Sequence, residues 1–176
     1  VRIVEYLKPE GFEHYSETAE VRSEVFGSNS PTVNTVPVKS LLRPDALIEI
    51  EVTAATHNNR ETVQPASGAK ESAGLVFLPT ILPLDRDGNL VCANDIVAQT
   101  EAIFSAAATM LRNFDLGLEH VVKTVDYISP EGLANYRDTG DVRRSLLGPV
   151  YPAAAGIHMP QLIQPEALIQ YDFIAS

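Results

Sequence analysis

The chain has 176 residues, 45% hydrophobic and 20% charged, the balance of a globular protein with a real core rather than of a disordered or fibrous one. Its formal charge of −10 opposes contact with nucleic-acid phosphates and anionic membrane surfaces, since both call for a cationic face. A single cysteine, Cys92, excludes an internal disulfide, and with no charged-then-apolar leader and no bilayer-length apolar run in the sequence, cytoplasmic residence is the expectation.

In chain order, "VRIVEYL" opens at Val1 without methionine and already reads as a strand, which suggests a truncated or processed start. A helix from about Gly11 to Phe26 and two strands follow. The polar, small-residue segment 56–74 reads as a linker and access loop. Residues 74–93 read as a hairpin about Asp87-Gly88, a turn pair that tolerates positive φ, with Pro79 and Pro83 pushing one strand toward an edge or bulge. From Asp95 to Leu116, Ile96, Ile103, Ala107, Leu111 and Phe114 recur at helical spacing, with Asp95 as N-cap and Gly117 as stop. The β-branched 121–128 suits a strand, and 131–148 reads as a helix ending at Gly148, weakened by about 1 kcal/mol at Gly140. The closing segments read as half-buried strands.

The chain also repeats itself. "VRIVEYLKPEG" at 1–11 lies over "VKTVDYISPEG" at 122–132, an offset of 121. Without a gap, that offset carries Tyr15 onto Tyr136, Val21-Arg22 onto Val142-Arg143, Pro31 onto Pro152 and Ala46-Leu47-Ile48 onto Ala167-Leu168-Ile169. The 55 overlapped pairs hold 18 identities, where average usage gives roughly one match in fifteen by chance. A full unit then spans about 121 residues, so the leading copy lacks about 66. The expected organisation is 1–55 as the latter half of a first unit, 56–74 as linker, and 75–176 as a second unit. Such a half-unit leaves a sheet edge and an apolar helix face to be covered.

The stretch "GNLVCANDIVAQTEAIFSAAATMLRNFDLGLEHVVKTVDYIS" at 88–129, with its Gln-Thr pair in the helix, and "PDALIEIEVTAA" at 44–55 resemble the reactive-intermediate deaminase family, also called Rid or YjgF-like. The resemblance implies an α+β fold of chorismate-mutase-like β-β-α-β-α-β-β units, here duplicated with the first copy incomplete. It also implies a homo-oligomer, a trimer-like ring or hexamer with clefts between units. In the family, a glutamate of the last strand positions the attacking water. Glu49 matches it in the leading copy and Gln170 in the second. The arginine that follows the proline of the penultimate strand is replaced by Val33 and Ala154, and the hairpin's Ser-Gly-Gln by Pro79-Thr80-Ile81.

The implied reaction is hydrolytic deamination of a small enamine or imine acid, 2-aminomuconate-like enamines included. It needs no metal or cofactor, only a carboxylate that orients water and takes its proton. Glu49 suits that role in a partly desolvated cleft, although "IEIE" is also the plain alternation of a half-buried strand. With the arginine gone, a small carboxylate substrate needs another cation. Lys70, Arg43 and Lys123 are the candidates, with Lys70 favoured because it aligns near a family tyrosine, beside its reading as an exposed loop lysine. Tyr6 and Tyr127, at one repeated position, stack on a conjugated substrate or pack as ordinary tyrosines. Thr35 offers a ligand hydrogen bond. Histidines 14, 57, 120 and 158 have no metal-ligand spacing, and Cys92 reads as a small buried apolar residue. The rival reading is a non-catalytic carboxylate-binding or regulatory protein. An endoribonuclease is disfavoured by the acidity and the lack of a basic patch.

Overall fold

The structure, a computed structural model, describes residues 1–55 and 68–176. His57 and residues 56–67 of the linker lie outside the described residues. The elements are β1 (Arg2–Leu7), α1 (Glu17–Phe26), β2 (Thr32–Pro37), β3 (Ile48–Thr53), β4 (Lys70–Ser72), β5 (Leu75–Phe77), α2 (Ile96–Leu111), β6 (Val121–Ile128), α3 (Pro130–Leu133), α4 (Thr139–Leu147), β7 (Ala153–His158) and β8 (Ile169–Ala175). They form two sheets, in the orders β2-β1-β3 and β4-β5-β8-β6-β7. The fold is α+β. Among the described residues, no helix is long and apolar enough to cross a membrane.

The offset of the sequence repeat holds strand by strand. β1 runs parallel to β2 and antiparallel to β3, as β6 does to β7 and β8. The register pair Tyr6↔Val36 has Tyr127↔Ile157 as its counterpart, and Tyr6↔Glu49 has Tyr127↔Gln170. Loop hydrogen bonds repeat as well. Lys8 N to Leu47 O (3.0 Å) matches Ser129 N to Leu168 O (3.1 Å), and Val38 N to Leu7 O (2.8 Å) matches Met159 N to Ile128 O (2.9 Å). A Cβ at Gly11 would stand 2.8 Å from Leu7 Cδ1 and 3.1 Å from the backbone Leu47 O, so a larger residue there would crowd the approach to Leu47.

The main core lies between α2 and the larger sheet. Ile103, Phe104, Ala107 and Leu111 are fully buried against β8. The Phe104 ring stands edge-on to Tyr171 and Phe173, at 5.3 Å from each. Such pairs add about 0.5–1.5 kcal/mol to plain burial. Asp95 caps α2 as its sequence suggests, accepting from Val97 N and Ala98 N at 3.0 Å.

Several expectations are corrected. The α-helix ends at Leu111 and one 3-10 turn carries the chain to Phe114, so Asp115, at φ 58°, makes the reversal rather than Gly117. The hairpin closes on Ala73-Gly74, with positive φ at both, and recruits Lys70–Ser72 from the expected linker as β4. Around Asp87-Gly88 the ladder shrinks to one bridge, Leu84↔Leu90, since Pro79 and Pro83 lack the N–H that a longer ladder needs. The helix expected over 131–148 breaks into α3, a 3-10 turn and α4. Cys92 is exposed, not buried, in a turn at φ 47°.

Candidate functional site at the seam between the repeats

The smaller sheet lays one face on the larger one. Alternation sends Arg2, Val4 and Tyr6 of β1, with their neighbours Thr32, Asn34 and Val36, to that face. Opposite them are Gln170 and Asp172 of β8, Tyr127 of β6, and residues 78–80 after β5. Asn34 Nδ2 donates to Leu78 O at 3.2 Å, and Thr35 N to Thr80 Oγ1 at 3.1 Å. Thr80 N reaches Val33 O at 3.2 Å, and Gln170 Nε2 reaches Thr35 O at 3.1 Å. Below these contacts, Val4, Val36, Tyr127, Met159, Leu162 and Ala167 form a second apolar cluster.

Asp172 is the charged centre of the seam. It accepts from Thr80 Oγ1 at 2.6 Å and Tyr127 Oη at 3.1 Å, and pairs with Arg2 at 3.5 Å. Burial nonetheless outweighs these partners and lifts its carboxyl above the usual range. Burial foremost, then the charge and hydrogen bond of Asp172, raise the Tyr127 phenol, so it stays a donor.

Each nominated site residue has a definite place. Thr35 is buried, and its hydroxyl meets Tyr15 Oη. Tyr127 is enclosed, its hydroxyl given to Asp172 rather than to a ligand. Gln170 is fully buried, with Ile163 N on its oxygen. The seam is therefore a filled interface around the repeat position that carries an amide.

The equivalent position in the first half is open. Glu49 is exposed on β3 beside its register partner Tyr6, and Glu51 accepts from Tyr6 Oη at 3.0 Å, as Asp172 does from Tyr127. Partial burial, the Glu51 hydrogen bond and the charges of Glu51 and Glu49 raise the Tyr6 phenol. Two carboxylates and a protonated phenol thus share one exposed face. Arg43 is exposed in the loop before β3. Lys70 is half-buried on β4 and donates to Asn29 O at 3.3 Å and Ser30 O at 3.5 Å. It lies by the Val1 amine, at the Thr53 end of β3, four residues or about 13 Å of strand from Glu49. Within one chain the fold does not bring these two residues together. A cleft of about 440 Å³ opens elsewhere between the repeats, lined by Pro9, Phe12, Ser129, Glu131 and Leu162 among others; none of the nominated residues lines it. Among the described residues, no His, Cys, Asp and Glu group has metal-site geometry.

Sequence reading missed the seam's Arg2, Asn34, Thr80 and Asp172. Asp172 had a signal, since it aligns with Glu51 at the repeat offset, but its partners Tyr127, Thr80 and Arg2 come from segments 45, 92 and 170 residues away.

No protein-family model and no curated protein matches the chain. Solved structures do. A protein of unknown function of the Rid family, YyfA from Yersinia pestis, is 24% identical over 61% of this chain and 84% of its own, with a TM-score of 0.56. RidA from the Antarctic bacterium Psychrobacter sp. is 20% identical over 61% of this chain and 84% of its own, at 0.55. A YjgF/YER057c/UK114-family protein from Mycobacterium tuberculosis is 22% identical over 61% and 82%, at 0.52. Part of the chain lies outside each match, as suits one complete unit and one incomplete one. At these identities the likeness speaks for architecture alone, and the architecture is the Rid/YjgF fold.

Proposed function

We propose that the chain is a metal-free hydrolytic deaminase of small enamine or imine carboxylic acids, with 2-aminomuconate-like enamines in its substrate class. One observation carries the reading. Of two equivalent strand positions, the one with a carboxylate, Glu49, is open, while the one with an amide, Gln170, is sealed in the seam. An amide cannot take a proton from water; a carboxylate can. In the reaction the enamine tautomerises to an imine, and Glu49 orients a water and takes its proton as oxygen bonds to the imine carbon. Glu49 returns that proton to the nitrogen of the carbinolamine, and as the hydroxyl gives up its own proton the carbon–nitrogen bond breaks, giving ammonia and a carbonyl acid. The raised Tyr6 phenol remains protonated beside this point and donates. Arg43, exposed in the loop that leads into β3, anchors a substrate carboxylate, since Lys70 lies about 13 Å of strand from Glu49.

The test is ammonia release from an enamine acid generated in the assay. Glu49→Gln is expected to lower kcat roughly a hundredfold, and unchanged turnover removes Glu49 from the mechanism. A second reading, non-catalytic binding of small carboxylates, is favoured by Val33 and Ala154 at the family's arginine positions. Binding of small carboxylates without ammonia release from any enamine tested selects it.

A further inference from the structure

The cleft of about 440 Å³ between the repeats takes no part in the proposed deamination. Its walls come from both halves of the chain. Pro9 and Phe12 lie on the 3-10 turn Pro9–His14 after β1, Glu131 on α3, and Pro160, Leu162 and Pro165 on the loop between β7 and β8. Leu162 is buried and belongs to the apolar cluster of the seam, so the floor of the cleft is also the outer layer of that core. Proline, with its fixed φ, stiffens the wall at three points, and the hollow is preformed, as small-molecule sites mostly are.

Among the described residues, Glu131 is the only charged side chain in this wall, and neither its carboxylate nor the half-buried Gln161 amide has a hydrogen-bond or ion-pair partner. The first repeat shows what is missing. Glu10, the counterpart of Glu131, has Lys8 Nζ at 3.9 Å. The repeat offset turns Lys8 into Ser129, which is buried and accepts from Gly132 N at 3.1 Å as the cap of α3. Lys8 itself stays with the first repeat, donating to Pro44 O at 2.8 Å. Likewise, Lys39 and Ser40 stand where the second repeat has Pro160 and Gln161. The second repeat thus lacks both cations at the place where its acid borders a hollow, and a chain of net charge −10 draws cations toward it.

We propose that the cleft binds a protonated amine of the arylalkylamine class, with the ammonium on the Glu131 carboxylate, the Gln161 side-chain oxygen as a second acceptor, and the ring against Phe12 and the prolines. An exposed ion pair alone is too weak to hold a small cation; burial of the ring against Phe12, Pro160 and Leu162 adds the rest. The volume lies within the usual range of small-molecule sites. A carboxylate or phosphate finds no cation here, and a neutral body leaves Glu131 unpaired, so charge selects the ligand. No residue of β3 lines the cleft, and amine binding stands apart from the reaction assigned to Glu49.

Titration of the ¹⁵N-labelled 176-residue protein with 2-phenylethylamine at neutral pH, followed by backbone amide shifts, tests the site. The shifts are expected to centre on Phe12, Glu131, Gln161 and Leu162 and to saturate with a Kd of about 1 mM. At these amides 2-phenylethanol and 3-phenylpropanoate, the neutral and anionic analogues, are expected to bind about fivefold more weakly, and so is the amine to Glu131→Gln, while Glu10→Gln keeps wild-type affinity to within about twofold. Ser129→Lys, which restores the cation of the first repeat, is expected to weaken the amine about tenfold; Ser129→Ala, which loses the same helix cap and adds no charge, keeps the affinity. Amide dispersion verifies the fold of each variant. Glu131 is exposed, so its variant decides the matter even where the buried Ser129 does not tolerate a lysine. Absence of any shift at about 10 mM amine, shifts scattered over the acidic surface, equal binding of the alcohol, or unchanged affinity in Glu131→Gln or in a folded Ser129→Lys overturns the proposal.

Discussion

Glu5 and Asp126 occupy the same position in the two repeats, and each is buried beneath the same pair of partners. Tyr15 Oη reaches Glu5 at 2.7 Å and Arg22 pairs with it at 2.7 Å; Tyr136 and Arg143 serve Asp126. Burial raises the Tyr15 and Tyr136 phenols to about 12, so both remain donors to their acids. These triads pin α1 and α4 to their sheets and were legible as repeated letters, but only burial gives the letters their energetic meaning. Asp172 shows the same contrast through pH. Its carboxyl is raised by burial, so the folded chain holds that proton more tightly than the unfolded one. The resulting penalty is absent below the ordinary carboxylate value and grows as the pH rises from there toward the raised one. Asp172→Asn removes it. The stability of this variant relative to wild type is therefore expected to be greater at pH 7 than at about pH 4, as urea unfolding at the two pH values would measure.

Among the elements, α2 was readable because sixteen residues of 3.6-period pattern and a capping Asp95 all favour one state. Its packing makes it the keel of the complete unit. Phe104→Ala removes a fully buried ring wedged edge-on between Tyr171 and Phe173 and is expected to cost about 3–5 kcal/mol in denaturant unfolding. The short hairpin was not readable. Lys70-Glu71-Ser72 has no apolar alternation; it becomes a strand only because β5 lies alongside, itself aligned by Val76↔Ala175 and Phe77↔Ile174 on β8. The pairing that defines β4 is thus decided a hundred residues downstream.

At the scale of the molecule, the two repeats differ in what covers their backs. Val142 of α4 is 8% exposed, while its counterpart Val21 on α1 is 58% exposed. Tyr171 and Phe173 are sealed by α2, whereas their counterparts Ile50 and Val52 are 53% and 64% exposed. An apolar hollow of about 260 Å³ beside Leu7, Tyr15, Val21 and Leu47 continues that bare face. The difference follows from packing alone, since the described part of the first repeat has no helix equivalent to α2. The double variant Ile50→Thr, Val52→Thr is expected to leave stability within about 0.5 kcal/mol of wild type while lowering the fluorescence of a hydrophobic dye bound to this face. A large loss of stability would mean that the two side chains are packed.

The amino-acid sequence by itself determined the repeat, its offset, the strands and helices that obey it, and the pairing of a glutamate at 49 with a glutamine at 170, because local periodicity and self-similarity are written in the order of residues. Only the tertiary structure decided that the amide position is sealed and the carboxylate position open, and that Arg2, Asn34, Thr80 and Asp172 meet in one seam. Burial and charge pairing depend on which distant segments a sheet face meets, and that information resides in the packing of one repeat against the other.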